Sequence, residues 1–223
     1  AVLFAGFVGY LSDKLVFLPM RNKHASGMVL LVASLGLFTA LQAVIAIIFT
    51  SQFQTISSDV GETQIYNFFG GIITQTQLYI LISAILITVA LAFVMKFTKF
   101  GKAVKAISDD IDVAKIVGIN ANKIIAKVFF IGSMIAGVSG IAIGFDTGIE
   151  PTMGMNLLLK GVIASIIGGV GNVYGGVLGA FFLGFVENFG IWKISGEWKD
   201  AIAFGVLILF LIFKPGGIMG KKG

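Results

Sequence analysis

The sequence predicts an all-α fold, a polytopic bundle of transmembrane helices with about seven membrane segments and a short helix in one connecting loop. Two observations carry this expectation. Hydrophobic residues make up 57% of the 223-residue chain and charged residues 12%, with a mean hydropathy of +1.00, more apolar surface than one soluble core of this length hides. The charges are clustered, leaving uncharged runs near the ~20 residues a spanning helix needs. There is no cysteine and a single histidine, so disulfides, thiolate metal centres and iron–sulfur clusters have no ligands. His24, beside Arg21 and Lys23, reads as a loop residue rather than a metal ligand.

Taken in order, the apolar segments run at about Ala1–Phe17, Ser26–Phe49, Thr76–Met95, Ile124–Phe145, Met155–Val170, Tyr174–Gly190 and Ala201–Phe213. The chain begins inside an apolar run with no basic leader, so a longer protein with a missing N-terminal region is expected. Arg21, Lys23, Lys96, Lys99, Lys102, Lys105, Lys115, Lys123, Lys214, Lys221 and Lys222 fall on one side of the alternation, which the positive-inside rule makes the cytoplasm. The C-terminus is expected on that side too. Loops 50–75, 146–154 and 191–200 carry Asp59, Glu62, Asp146, Glu150, Glu197 and Asp200 against Lys193 and Lys199. Trp192 and Trp198 fall at the outer boundary, where an indole keeps its ring in lipid and its N–H near water. The net charge of +5 therefore orients a membrane protein, and no nucleic-acid role is read from it.

Small residues recur at helical spacing. Gly132, Ala136, Gly140 and Gly144 form one stripe; Gly161, Ser165 and Gly169 a second; Gly176, Ala180 and Gly184 a third. Such stripes let helix backbones approach closely, and a helix-packing role is expected for them and for Gly171. The run Gly168-Gly169-Val170-Gly171-Asn172 separates two short segments, which fit either two full spans or a re-entrant pair. Its glycines do not follow a strand, so they read as turn and packing residues rather than a dinucleotide loop.

The longest basic-side loop, about residues 96–123, contains Ser108-Asp109-Asp110-Ile111-Asp112-Val113-Ala114-Lys115-Ile116-Val117-Gly118. Ser108 is expected to cap a short helix with acids in its first turn, Lys115 in its last and Gly118 as its stop. Ile111, Ala114 and Val117 share a narrow face, which packs either on a partner or on the chain itself.

Ala103, Ala106, Asp109, Ala114 and Gly118-Ile119 in this loop resemble the cytoplasmic loop of the branched-chain amino acid ABC permease family. Gly168-Gly169-Val170-Gly171-Asn172, Gly175-Gly176, Gly184-x-x-Glu187, Glu197-Trp198-Lys199-Asp200 and Lys214-Pro215-Gly216-Gly217-Ile218-Met219-Gly220 are similar to that family, in its order. The resemblance is good from about Phe100 to Gly220 and weaker before it, where Leu18-Pro19-Met20-Arg21 is also similar. It implies a single permease domain over 1–223, in which Ala103, Ala106, Asp109, Asp112, Ala114, Gly118 and Ile119 couple to an ATPase through a short coupling helix. It further implies a second permease subunit, two ABC ATPase subunits, an extracytoplasmic solute-binding protein and the inner membrane of a prokaryote. Leucine, isoleucine and valine are the implied solutes, with urea and short amides as alternatives on the same scaffold. The chain lacks the Gly-x-x-x-x-Gly-Lys-Ser/Thr phosphate loop, so ATP and magnesium are expected in partner subunits, with no cofactor and no enzyme activity in this chain. From the residues alone, an ATP-independent secondary transporter or channel stays open.

Lys160 and Glu187 each place an ionisable group inside an apolar segment, a costly position that points to a solute path, a partner charge or snorkelling to the boundary. All three readings stand at this level.

Overall fold

The computed structural model describes residues 1–49, 52–55, 65–68, 71–192, 195–214 and 216–219. Asp59, Glu62, Lys193, Pro215, Gly220, Lys221 and Lys222, used above, lie outside the described residues, as does the side chain of Glu197. By contacts the chain divides into two compact units, Ala1–Thr152 and Met153–Gly223.

The first unit opens with a continuous rod, Val2–Asn22: α1 (Val2–Ser12), a π turn (Asp13–Phe17) and α2 (Leu18–Asn22), with Pro19 near the start of α2, where it offers no N–H to the helix ladder. His24 follows in a left-handed turn at φ 53°. Then come α3 (Gly27–Phe49), α4 (Gln75–Phe97), α5 (Lys99–Asp109), α6 (Ile111–Ile116) and α7 (Ala121–Thr147). Thr74 starts α4 with a capping box, accepting from the Gln77 N–H while the Gln77 side chain accepts from the Thr74 N–H. Asn120 caps α7 by accepting from the Lys123 N–H at 3.1 Å.

α1 lies against α7 at very short range. A Cβ at Gly6 would fall 2.6 Å from Met134 Cγ, one at Gly9 would overlap the Ser133 side chain, and one at Gly137 would fall 2.8 Å from Ala5 Cβ. Dispersion between backbones is what this closeness gains.

Two departures from expectation belong to this unit. A small antiparallel hairpin, β1 (Ile65–Phe68) and β2 (Gly71–Thr74), stands where a plain loop was expected, paired from Ile65↔Thr74 to Phe68↔Gly71. Beside it Gln54 and Ile149 exchange backbone hydrogen bonds of 2.9 and 2.8 Å. Secondly, Ser108 is not a cap. It sits inside α5, and Asp110 starts α6 instead: its extended backbone (φ −156°, ψ 118°) lets one carboxylate oxygen accept the N–H groups of Asp112 and Val113 at 2.8 and 3.0 Å.

The second unit is a helical hairpin, α8 (Met153–Gly168) and α9 (Val173–Ile191), joined by α10 (Lys199–Phe213) after a 3-10 turn at Gly196–Trp198. Its core is Ile163, Ala164, Ile167, Leu183 and Ala203, with Val206, Leu207, Phe210 and Ile218 around it. The turn uses positive φ at Gly169 (106°) and Gly171 (89°), a conformation other residues rarely take. Asn172 then caps α9 by accepting from the N–H groups of Tyr174 and Gly175.

Among the described residues, five helical stretches are long and apolar enough to cross a membrane: Val2–Asn22, Gly27–Phe49, Gln75–Phe97, Ala121–Thr147 and Val173–Gly190. α8 and α10 are apolar but have 16 and 15 residues. At ~1.5 Å per residue they fall short of a ~30 Å hydrocarbon core. Among the described residues, five helical stretches of crossing length are thus found where seven membrane segments were expected.

Candidate functional site

The second unit gathers four charges at one end of its helices. Lys160, in the second turn of α8, approaches Glu187 near the end of α9 because the two helices run antiparallel. Its Nζ lies 3.2 Å from Glu187 Oε2 and 3.5 Å from Asp200 Oδ1, while Lys199 Nζ lies 3.9 Å from Glu187 Oε2. Two cations thus meet two carboxylates, and the cluster is neutral as a whole. Glu187 is 5% exposed, and its other oxygen, Oε1, is buried without a hydrogen-bond partner among the described residues. A carboxylate in that position needs nearby cations to stay charged, and Lys160 and Lys199 supply them.

The hairpin geometry that brings Lys160 to Glu187 rests on glycine. A Cβ at Gly168 would overlap the Gly175 carbonyl, and one at Gly179 would overlap the Ala164 carbonyl. Trp192 and Trp198, 78% and 58% exposed, flank the charged end.

Not every expected packing residue lies in a contact. Among the described residues a Cβ at Gly132, Gly140, Gly161, Gly176 or Gly184 would meet nothing within 4 Å, and Ala136 is exposed. Gly144 is buried, and Gly169 and Gly171 serve the α8–α9 turn. Close approach falls instead to Gly6, Gly9, Gly137, Gly168, Gly175 and Gly179.

In the first unit, α5 follows α4 through an elbow at Thr98, whose side chain accepts from the Gly101 N–H at 3.1 Å. Gly101 lies so close to the backbone of Met95 that a Cβ there would fall 2.5 Å from Met95 Cα. Ala103 and Ala106 are half-buried on α5, with Lys99, Lys102 and Lys105 exposed. On α6, Ala114 is 1% exposed, whereas Val113, Ile116 and Val117 are 56%, 84% and 69% exposed. The buried face of α6 is therefore narrower than the expected Ile111–Ala114–Val117 stripe. Asp112 pairs with Lys115 at 2.9 Å, Asp109 and Gly118 are exposed, and Ile119 is half-buried. Gly118, at φ 83°, closes the helix: its N–H donates to the Lys115 carbonyl and that of Ile119 to Ala114, both at 3.0 Å. Hydrogen bonds from the Val113 and Asp112 N–H groups hold the Asp110 carboxyl below its usual value of 3.8.

Sequence reasoning passed over Asp13. It is 1% exposed and pairs with Arg21 at 2.8 Å. Residues eight apart in an α-helix stand ~80° round from each other. The π turn at Asp13–Phe17 takes up one extra residue and brings Arg21 back over Asp13. A charge inside an apolar run was the available signal. Lys199 and Asp200, read above as loop charges and as part of a family-like run, also belong to the four-charge cluster.

Residues 1–211 match the family described as the permease component of branched-chain amino acid transport systems. The chain is 28% identical to the high-affinity branched-chain amino acid transport system permease protein BraD of Pseudomonas aeruginosa, over 99% of this chain and 73% of that protein. It is 29% identical to LivH of Escherichia coli K12, a permease protein of the same kind of system, over 99% of this chain and 72% of that protein. A shorter match, 30% identical over 57% of this chain and 41% of the relative, is to the autoinducer 2 import system permease protein LsrC of Photorhabdus laumondii. No solved structure matches. A multi-pass set of apolar helices and a family match across nearly the whole chain agree: the protein belongs to the permease components of branched-chain amino acid transport systems.

Proposed function

We propose that this chain is the membrane-spanning subunit of an ATP-driven importer for leucine, isoleucine and valine in the inner membrane of a prokaryote. The observation that carries the reading is the family match over residues 1–211. Both units then form one permease domain, all seven apolar helices lie at membrane depth, and the basic loops and the C-terminus face the cytoplasm. A second permease subunit, two ATPase subunits that bind ATP and magnesium, and an extracytoplasmic binding protein complete the assembly.

In this reading α5 and α6 are the coupling segment. Ala103, Ala106 and Ala114 hold it to its own chain, Gly118 and Ile119 close it, and the exposed Val113, Ile116 and Val117 meet the ATPase. The buried half of Lys160–Glu187 supports a place beside the solute path. An amino acid carries both an ammonium and a carboxylate; Glu187 Oε1 is free to accept from the first, and Lys160 has donors for the second. The stripes Gly132–Ala136–Gly140 and Gly176–Ala180–Gly184 would serve helix packing against the second permease subunit, since their own chain leaves them open.

The test is uptake of labelled leucine, isoleucine, valine and urea into vesicles holding the full-length subunit with the products of its neighbouring genes. ATP-dependent uptake of the three amino acids is expected. Uptake that persists without ATP and collapses with an ion gradient would overturn the reading, and ATP-dependent uptake of urea alone would reassign the solute.

A further inference from the structure

A cavity of about 290 Å³ opens in the first unit between the Val2–Asn22 rod and the start of α7. Three lysines, Lys14, Lys123 and Lys127, share its wall with Tyr10, Asn122 and Leu18. Among the described residues none of the three lysine side chains has a hydrogen bond or ion pair. Lys123 and Lys127 stand one turn apart on α7, a spacing at which like charges repel. The carboxylate on the wall, Asp13, is 1% exposed and engaged by Arg21 at 2.8 Å, so it does not neutralise them.

The cluster is built rather than incidental. Lys14 lies in the π turn, whose extra residue rotates this part of the rod relative to a plain α-helix. Lys123 and Asn122 lie in the first turn of α7, where the helix dipole also favours negative charge. Tyr10 and Asn122 add residues that carry neutral donors, while most of the wall is apolar, with Leu18, Ala126 and the lysine stems in it. Three cations, two neutral donors and an apolar side, at the end of the unit that carries Arg21 and Lys23, match a phosphate group joined to a greasy body.

We propose that this cavity binds the phosphate of an anionic lipid headgroup. Basic pockets between membrane helices hold such headgroups by the same chemistry. The site stands whether or not leucine is the solute, because it needs only the first unit and a bilayer.

The test uses the full chain, purified in detergent, with phosphatidylglycerol or phosphatidylcholine added and bound lipid counted by native mass spectrometry. Phosphatidylglycerol should be retained over phosphatidylcholine. Each of Lys14→Gln, Lys123→Gln and Lys127→Gln should weaken phosphatidylglycerol by about fivefold, and all three together on the order of a hundredfold. A control with Lys23→Gln, Lys96→Gln and Lys99→Gln removes equal charge outside the cavity and should keep the preference. Equal retention of both lipids, or equal loss in the two triple variants, would overturn the site. Displacement of phosphatidylglycerol by inorganic phosphate would move the ligand to a soluble phosphate and overturn the lipid assignment. Should the triple variant elute as aggregate, the single variants carry the measurement.

Discussion

Glu187 sits 5% exposed with Lys160 at 3.2 Å and Lys199 at 3.9 Å, and the two cations do not contribute alike. Removing one partner of a fully buried ion pair costs about 3–5 kcal/mol. The Lys160 side chain is 30% exposed and Lys199 remains nearby, so Lys160→Met should lower stability by about 2 kcal/mol. Glu187→Gln leaves no buried charge, and Lys160 keeps Asp200; the loss should be smaller. Thermal unfolding of the two variants in detergent decides, and a Glu187→Gln protein less stable than Lys160→Met would contradict the burial argument. Both positions were legible in the sequence because a charge interrupts an apolar run. That they meet was not, since 27 residues separate them and only the hairpin brings α8 and α9 together. Asp13 gave the same signal, but its partner is hidden by the π turn, which no residue pattern in the rod announces.

At the scale of elements, α6 divides its apolar residues between two surfaces. Ala114 is inside, while Val113, Ile116 and Val117 are outside. Ile116→Asp should therefore cut co-purification of the ATPase subunit by about tenfold or more without altering thermal unfolding, because it changes only an exposed contact. Ala114→Asp should instead lower stability by burying a charge against the chain itself. Equal effects from both would mean that the exposed face has no partner. Capping adds a pH dependence of known sign. The Asp110 carboxyl titrates below its ordinary 3.8, so its contribution to α6 is complete above that value and fades as pH falls through the lowered one. Protection of the amides of residues 111–117, with exchange rates corrected for their intrinsic pH dependence, should thus fall in acid and stay level around neutrality. Sequence spacing gave the existence of α6 and its Gly118 stop, but placed the cap two residues early: Ser108 continues the amphipathic run of α5, and Asp110 competes better for the free N–H groups. Glycine spacing had a similar limit. A four-residue repeat marks a smooth helix face without saying whether this chain fills it, and the filled faces turned out to use Gly137 rather than Gly132 or Gly140, and Gly175 and Gly179 rather than Gly176 and Gly184.

For the molecule as a whole, α3 and α4 contain no fully buried residue, so much of their apolar surface stays exposed within the chain. An all-α membrane protein was legible from apolar run length, but a plain count of runs gave seven crossings where five helical stretches of crossing length are found among the described residues. The proposed sidedness can be read directly, because the chain has no cysteine and an introduced one is the sole thiol. Lys102→Cys should react with an impermeant maleimide only from the cytoplasmic face, and Glu150→Cys only from the opposite one; labelling of both from one side would reject the topology. One detail of the second unit reaches further. The Ile218 and Met219 N–H groups donate to the carbonyls of Ile167 and Gly168 at 2.8 and 3.0 Å, and the Asn172 amide donates to the Met219 carbonyl at 3.3 Å. A helix too short for its solvent would otherwise leave its last acceptors bare in oil. The strand of chain after α10 works as a stopper for that exposed end, so a purification tag spliced in before Gly217 would uncork the hairpin, whereas the same tag placed beyond Gly220 would leave the seal in place.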